Sequence, residues 1–184
     1  MPDDDVYLAL ALANSSHAAG DPLTSPTGVA RWLEARGLGP AAPETALRGL
    51  EFRELRDLVR DALGAVAAGR APSPAALRRL NDAARSAPVV VELEPETLQM
   101  RETFLVTNPT VRALGALARA SIRLLGSEAR ERVRRCPAPR CGRFFLAERA
   151  DRVWCSAVCG NRARVARHLA RRREAHRAER GSHP

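Results

Sequence analysis

Apolar residues run along the chain in blocks whose spacing switches between two residues and three to four, and each switch marks a new element. The first block, Tyr7-Leu-Ala-Leu-Ala-Leu-Ala13, alternates large and small apolar side chains. Period two fits a strand and the alanine content fits a buried helix, and the pattern leaves both open. Residues 15–24 are polar and read as loop. Thr24-Ser25-Pro26 then offers a cap with proline in the first helical turn, and the spacing predicts a short helix from Gly28 to Arg36 bearing Val29, Trp32 and Leu33, stopped by Gly37 and Gly39. The longest helical pattern spans about 44–68, where Leu47, Leu50, Leu55, Leu58, Val59, Ala62 and Val66 form one stripe. Arg48, Glu51, Glu54, Arg56, Arg60 and Asp61 lie opposite as a solvated face. Ser73-Pro74 starts another helix with Leu77, Leu80 and Ala84, ending near Arg85.

The β-branched run Pro88–Glu94 predicts a strand, Pro95-Glu96 a turn, and Leu98–Val106 its hairpin partner. Asn108-Pro109 caps a helix whose buried face is Val111, Leu114, Leu117, Ile122 and Leu125, closed by Gly126. Ser127 caps a short basic helix, Glu128 to Arg135. The body, residues 1–126, is thus mainly α with a small β-hairpin (α+β): about five helices and a hairpin near 88–106. Its conspicuous side chains read as structural. Trp32 is expected in the core rather than as a binding platform, Asn14 and His17 as caps or loop polars rather than catalytic groups, and Asn81 as bonded to a buried backbone group rather than lining a pocket. No carboxylate pair or histidine grouping suggests catalysis, so the chain is not expected to be an enzyme.

Charge changes this picture. All 30 basic residues are arginine, and 184 residues suffice for one ordinary core plus a small appendage. Residues 1–129 hold 14 Arg against 16 Asp and Glu, a net of −2, whereas residues 130–184 hold 16 Arg against 5, a net of +11. A basic appendage on a near-neutral body is the footprint of a polyanion partner. The longest apolar stretch, Val6 to Ala13, is eight residues, too short for a membrane span. The acidic start Met-Pro-Asp-Asp-Asp-Val lacks the basic region of a signal peptide. A cytoplasmic protein with no membrane partner is expected.

The basic segment also holds every cysteine: Cys136 and Cys141, then Cys155 and Cys159. Two close pairs of thiolates supply the tetrahedron that a structural Zn²⁺ requires, and neither pair has the Cys-x-x-Cys spacing that redox chemistry prefers. Gly142–Leu146 and Arg152–Trp154 are expected to form a short hairpin between the knuckles, followed by a helix: a treble-clef finger. Phe144, Phe145, Leu146 and Trp154 would be its minicore, with one zinc supplying on the order of 10–16 kcal/mol of folding energy. On the helix, Val158, Val165 and Leu169 approximate an inward side. Arg164, Arg167, His168 and Arg171, with Arg172 alongside, make a second stripe suited to a phosphate backbone or a major groove. Gly160 allows the backbone to pass close to the metal, and Asn161 caps a turn or bonds a thiolate-bearing loop. Arg162 either pairs with the finger's own carboxylates or reaches DNA.

Trp154-Cys155-Ser156 and Cys159-Gly160-Asn161-Arg162, with Cys136-x4-Cys141 upstream, resemble the CGNR zinc-finger family of bacteria. The likeness covers about residues 132–172. In that family the finger follows an N-terminal ABATE-type domain, and members are described, by inference, as stress-induced transcription regulators. The early apolar run ending in Asn14-Ser15, the Trp32 helix, Leu80-Asn81 and the hairpin carry a weaker likeness over residues 4–126. Relatives often have an acid where Ala11 stands, Asn-Thr where Asn14-Ser15 stand, and an Asp-x-Ser-Arg-Asn-like stretch in place of Ala147–Arg152. With the elements read above, four parts are expected: an ABATE-like domain (1–126), a basic connecting helix (127–135), a CGNR finger (136–175) and a disordered tail (176–184). The resemblance implies a zinc-binding regulator that contacts DNA through the finger, while the N-terminal domain senses a small molecule or associates with protein. A protein-interaction adaptor and an RNA-binding protein are the alternatives, and the oligomeric state is left open.

Overall fold

The alternating first block is a helix, α1 (Pro2–Ala13), because its apolar residues bury together at helical steps, Leu12 among them, while Tyr7 stays exposed. The molecule is described from a computed structural model that covers residues 2–16, 20–39 and 49–181, with side chains placed from 5 to 174 within those ranges. His17, His183, Leu47 and Arg48 lie outside the described residues. Val6, Ala9, Leu10 and Ala13 bury one face of α1, chiefly against α5 (Pro109–Gly126).

The helix α2 (Pro26–Glu34) starts two residues earlier than expected, since the Ser25 hydroxyl accepts the Gly28 N–H and Pro26 fits the first turn. Trp32 is core, as its spacing predicts. In α3 (Gly49–Ala67) the buried set is Phe52, Leu55, Leu58, Val59, Ala62 and Leu63, and Leu50 is exposed. The expected solvated face is partly buried as well: Arg56 lies inside, 2.7 Å from Asp21, and also donates to Ser15. In α4 (Pro74–Arg85) Ala76 and Leu80 face inward while Asn81 is exposed, so Asn81 bonds no buried backbone group.

The hairpin forms as expected from β1 (Val89–Leu93) and β2 (Met100–Phe104), antiparallel with Val89 opposite Phe104 and Leu93 opposite Met100. Arg112 and Arg119 of α5 stack over Phe104 at 4.7 and 5.1 Å and tie the hairpin to the body. The buried face of α5 is rotated from the expected one onto small residues, Ala113, Ala118 and Ala120, together with Leu117 and Leu124. Val111, Leu114, Ile122 and Leu125 flank it, half-buried. Close approach decides this: a Cβ at Gly115 would stand 2.4 Å from the Ala87 Cβ.

The connection to the cysteines departs from expectation. Only Glu128–Arg132 is helical, as a short 3-10 turn, and Val133–Arg135 form strand β3. β3 pairs antiparallel with β4 (Phe144–Leu146), Val133 opposite Leu146 and Arg135 opposite Phe144. The finger's hairpin therefore encloses the first cysteine pair rather than lying between the pairs, and Arg152–Trp154 are not a strand. Burial of Val133 in the main core pulls the segment out of helix. The last helix, α6 (Ala157–Gly181), extends into the segment expected to be a disordered tail.

Candidate metal centre and basic helix

β3 delivers Cys136 at its end, and the chain turns back within five residues. Cys141 N–H donates to Ala138 O at 3.0 Å and Cys136 N–H to Arg143 O at 2.8 Å. The turn holds Arg140 and Gly142 at φ 61° and 64°, and the first is a conformation that a bulky residue tolerates only where its surroundings enforce it. Cys159 sits on the first turn of α6, where its N–H donates to the Ser156 hydroxyl at 3.3 Å, so Ser156 acts as the helix cap. Trp154 and Cys155 approach on the preceding loop.

These two turns bring all four sulfurs within 4.8 Å of one another. Cys141 to Cys155 is 3.7 Å, Cys155 to Cys159 is 3.5 Å and Cys159 to Cys141 is 3.7 Å. A zinc tetrahedron with bonds of about 2.3 Å has edges of about 3.8 Å, whereas a disulfide needs about 2.0 Å. The donor set fits one structural Zn²⁺ held by Cys136, Cys141, Cys155 and Cys159. Electrostatics agree. Burial and the neighbouring thiols push Cys155 up to about 12, while the Ser156 hydroxyl and those same thiols bring Cys159 down to about 7. Four thiolates this close repel one another, and a bound dication offsets that charge.

The finger keeps a smaller minicore than expected, with Phe145 and Trp154 but without Phe144 and Leu146. Phe145 packs with Cys136, Ala138, Ala147 and Cys159, with Trp154 beside them. Phe144, however, is part of the main core, and Leu146 packs against that core. Asn14 explains the alignment. Its amide donates to Phe144 O at 2.8 Å and accepts from Phe144 N–H at 2.9 Å, across 130 residues of sequence. The side chain thus serves as a third strand for β4, a role absent from the expected ones of cap or loop polar. An asparagine at the end of an apolar helix was the signal available, but its partner could not be read from spacing.

On α6 the expected inward residues point outward: Val158 is 65% exposed, Val165 58% and Leu169 47%. The buried side is instead Cys159, Gly160 and Ala163. Gly160 is helical, and its need for a bare Cα comes from Trp154, whose Cδ1 lies 3.1 Å from where a Cβ would be. Asn161 accepts from Arg164 at 2.5 Å rather than capping or bonding a cysteine loop. Arg162 donates to Pro139 O at 3.3 Å, bridging from the helix to the first knuckle, and meets no carboxylate there. Arg164, Arg167, His168, Arg171 and Arg172 are all exposed. The polar contacts of Arg164 and Arg167, to Asn161 and Ala163 O, involve neutral acceptors and leave their charge uncancelled.

Two family models match the chain. One, ABATE, described as "putative stress-induced transcription regulator", matches residues 7–128. The other, the CGNR zinc finger, matches residues 132–172. No curated protein matches the chain. Among the described residues no helix is long and apolar enough to cross a membrane.

Proposed function

The chain belongs to the ABATE family and carries a CGNR zinc finger, and from that premise we propose that it is a cytoplasmic transcription regulator that binds duplex DNA through α6. The observation that carries this reading is the exposed arginine face of α6. The helix spans 25 residues, about 37 Å, and holds eight arginines against two glutamates. Zinc anchors its first turn, so the remainder is presented as a rigid rod and not as a loose basic tail. Arg164, Arg167, His168 and Arg171 recur at three- and four-residue steps and share one face, with Arg172 beside His168. Such a face suits phosphate contacts along a groove, with guanine edges within reach of a guanidinium fork. Arg162, turned toward Pro139, would act chiefly by holding the helix to the first knuckle. The N-terminal domain would supply the signal.

Filter binding of a mixed-sequence duplex across a salt series tests the proposal. With about six phosphates neutralised, log K against log salt falls with a slope near −5. No binding at low salt, or a flat salt response, would falsify it. Competition with structured RNA separates DNA from RNA as the preferred polyanion.

A second reading, a protein-interaction adaptor, is favoured by one observation: Val158, Val165 and Leu169 are exposed along α6. A protein partner retained on the immobilised chain after nuclease treatment, and lost from Val165→Ser/Leu169→Ser, would support it.

A further inference from the structure

We infer that the cleft between the N-terminal helices and the finger is a binding site for a small organic anion with an apolar, ring-bearing body. The cleft has a volume of about 620 Å³, within the range of small-molecule sites. Its apolar wall comes from α1 and α2 as Tyr7, Leu10, Ala11 and Trp32, and its far wall from the finger as Phe144, Phe145 and Leu146. Tyr7 is 62% exposed, an open aromatic face on a helix that otherwise buries its apolar residues.

The charged lining sets the ligand class. Arg36, Arg132, Arg143 and Arg152 line the cleft against a single carboxylate, Glu148. Glu148 is paired with Arg152 at 3.4 Å, which leaves three guanidinium groups in excess. Arg36 is preorganised: it lies over the Trp32 ring at 4.0 Å and donates to Trp32 O at 2.9 Å. Stacking of this kind holds the guanidinium plane while its remaining N–H groups stay able to grip a carboxylate edge. Partial burial lowers the pKa of Arg36 from its ordinary value, and the guanidinium, still solvent-exposed, keeps its charge for an incoming anion.

Residues from both halves line one cleft, and Asn14, which clamps β4, lines it too. Ligand would therefore favour the docked arrangement of finger on body by mass action. That regulatory consequence rests on the DNA-binding reading above; the binding site itself does not.

The test is calorimetric titration of the zinc-loaded full chain with 2-naphthoate, with neutral 2-naphthalenemethanol and inorganic phosphate as comparisons. The carboxylate should bind at least tenfold more tightly than either. Arg36→Gln and Arg143→Gln should each weaken it at least fivefold with zinc content and circular dichroism unchanged. Ala11→Glu, which adds a carboxylate to the cleft wall without touching an arginine, should abolish binding even if an arginine variant proves unstable. The inference is overturned if naphthoate does not bind, if the alcohol binds equally, if phosphate alone binds as well (a phosphate-backbone subsite), or if Ala11→Glu binds normally. Duplex affinity is then measured with and without naphthoate. Binding of naphthoate to a chain that ignores DNA would leave the cleft standing and remove only the DNA-binding proposal.

Discussion

Asn14 joins the two halves of the molecule through one amide. Its donor and acceptor both meet the backbone of Phe144, whose side chain is 3% exposed, so water cannot replace them cheaply. Asn14→Ala should cost about 2 kcal/mol, a fall in melting temperature of roughly 4–8 °C for a chain of this size. Differential scanning calorimetry of the zinc-loaded protein checks it. Asn14→Asp keeps the acceptor but turns a carboxylate oxygen toward Phe144 O, and should be at least as damaging above the ordinary carboxylate pKa. Gly160 is the other position where a single atom matters. In Gly160→Ala the new methyl presses on Trp154 while helix propensity gains about 1 kcal/mol, so melting temperature should change little and the strain should be read as faster zinc loss to a chelator in a chromogenic competition assay. Asp21→Ala leaves the buried Arg56 guanidinium with Ser15 and the exposed Asp57 carboxylate at 3.3 Å, and should destabilise by about 2 kcal/mol in urea unfolding.

At the scale of elements, α6 has two faces with separate consequences. Arg164→Gln/Arg167→Gln/Arg171→Gln should weaken duplex binding and reduce the salt slope by about 2.7, while melting temperature stays within a degree or two because these side chains are exposed. An unchanged slope would mean that the arginine face does not meet phosphate. Elements with strong local chemistry were legible in the sequence. Ser73-Pro74 and Asn108-Pro109 start their helices where expected, since a capping oxygen and a proline act within one turn. The first hairpin was legible from β-branched density. The segment 128–135 was not: arginine and glutamate favour helix locally, yet Val133 finds a deeper burial as a strand opposite Leu146. The faces of α5 and α6 were misread for one reason. Spacing marks where bulky apolar residues recur, but close packing selected alanine and glycine at the contacts.

At the scale of the whole molecule, zinc and the main core are coupled, since Val133 and Phe144 belong to that core while their strands carry the first knuckle. Chelation should therefore do more than unfold a distal finger. Amide hydrogen exchange should show lost protection from 133 onward together with faster exchange at the end of α1, around Leu12 and Ala13. The N-terminal helices should remain folded by circular dichroism. The pH sign follows from the ligands. Zinc displaces thiol protons, so the stabilisation is present at neutral pH and is lost as falling pH returns protons to sulfur. Zinc retention measured across a downward pH series should fall cooperatively, with protection of residues 133–163 falling in step.

Local chemistry determined the metal, its four ligands, the basic character of the C-terminal third and most helix starts, because those depend on atoms a few residues apart. Only the tertiary structure decided that α1 is a helix, that β4 docks on Asn14, and that an arginine-lined cleft opens where finger meets body. Each depends on which surfaces exclude water together, and no spacing along a single segment encodes its partner 130 residues away.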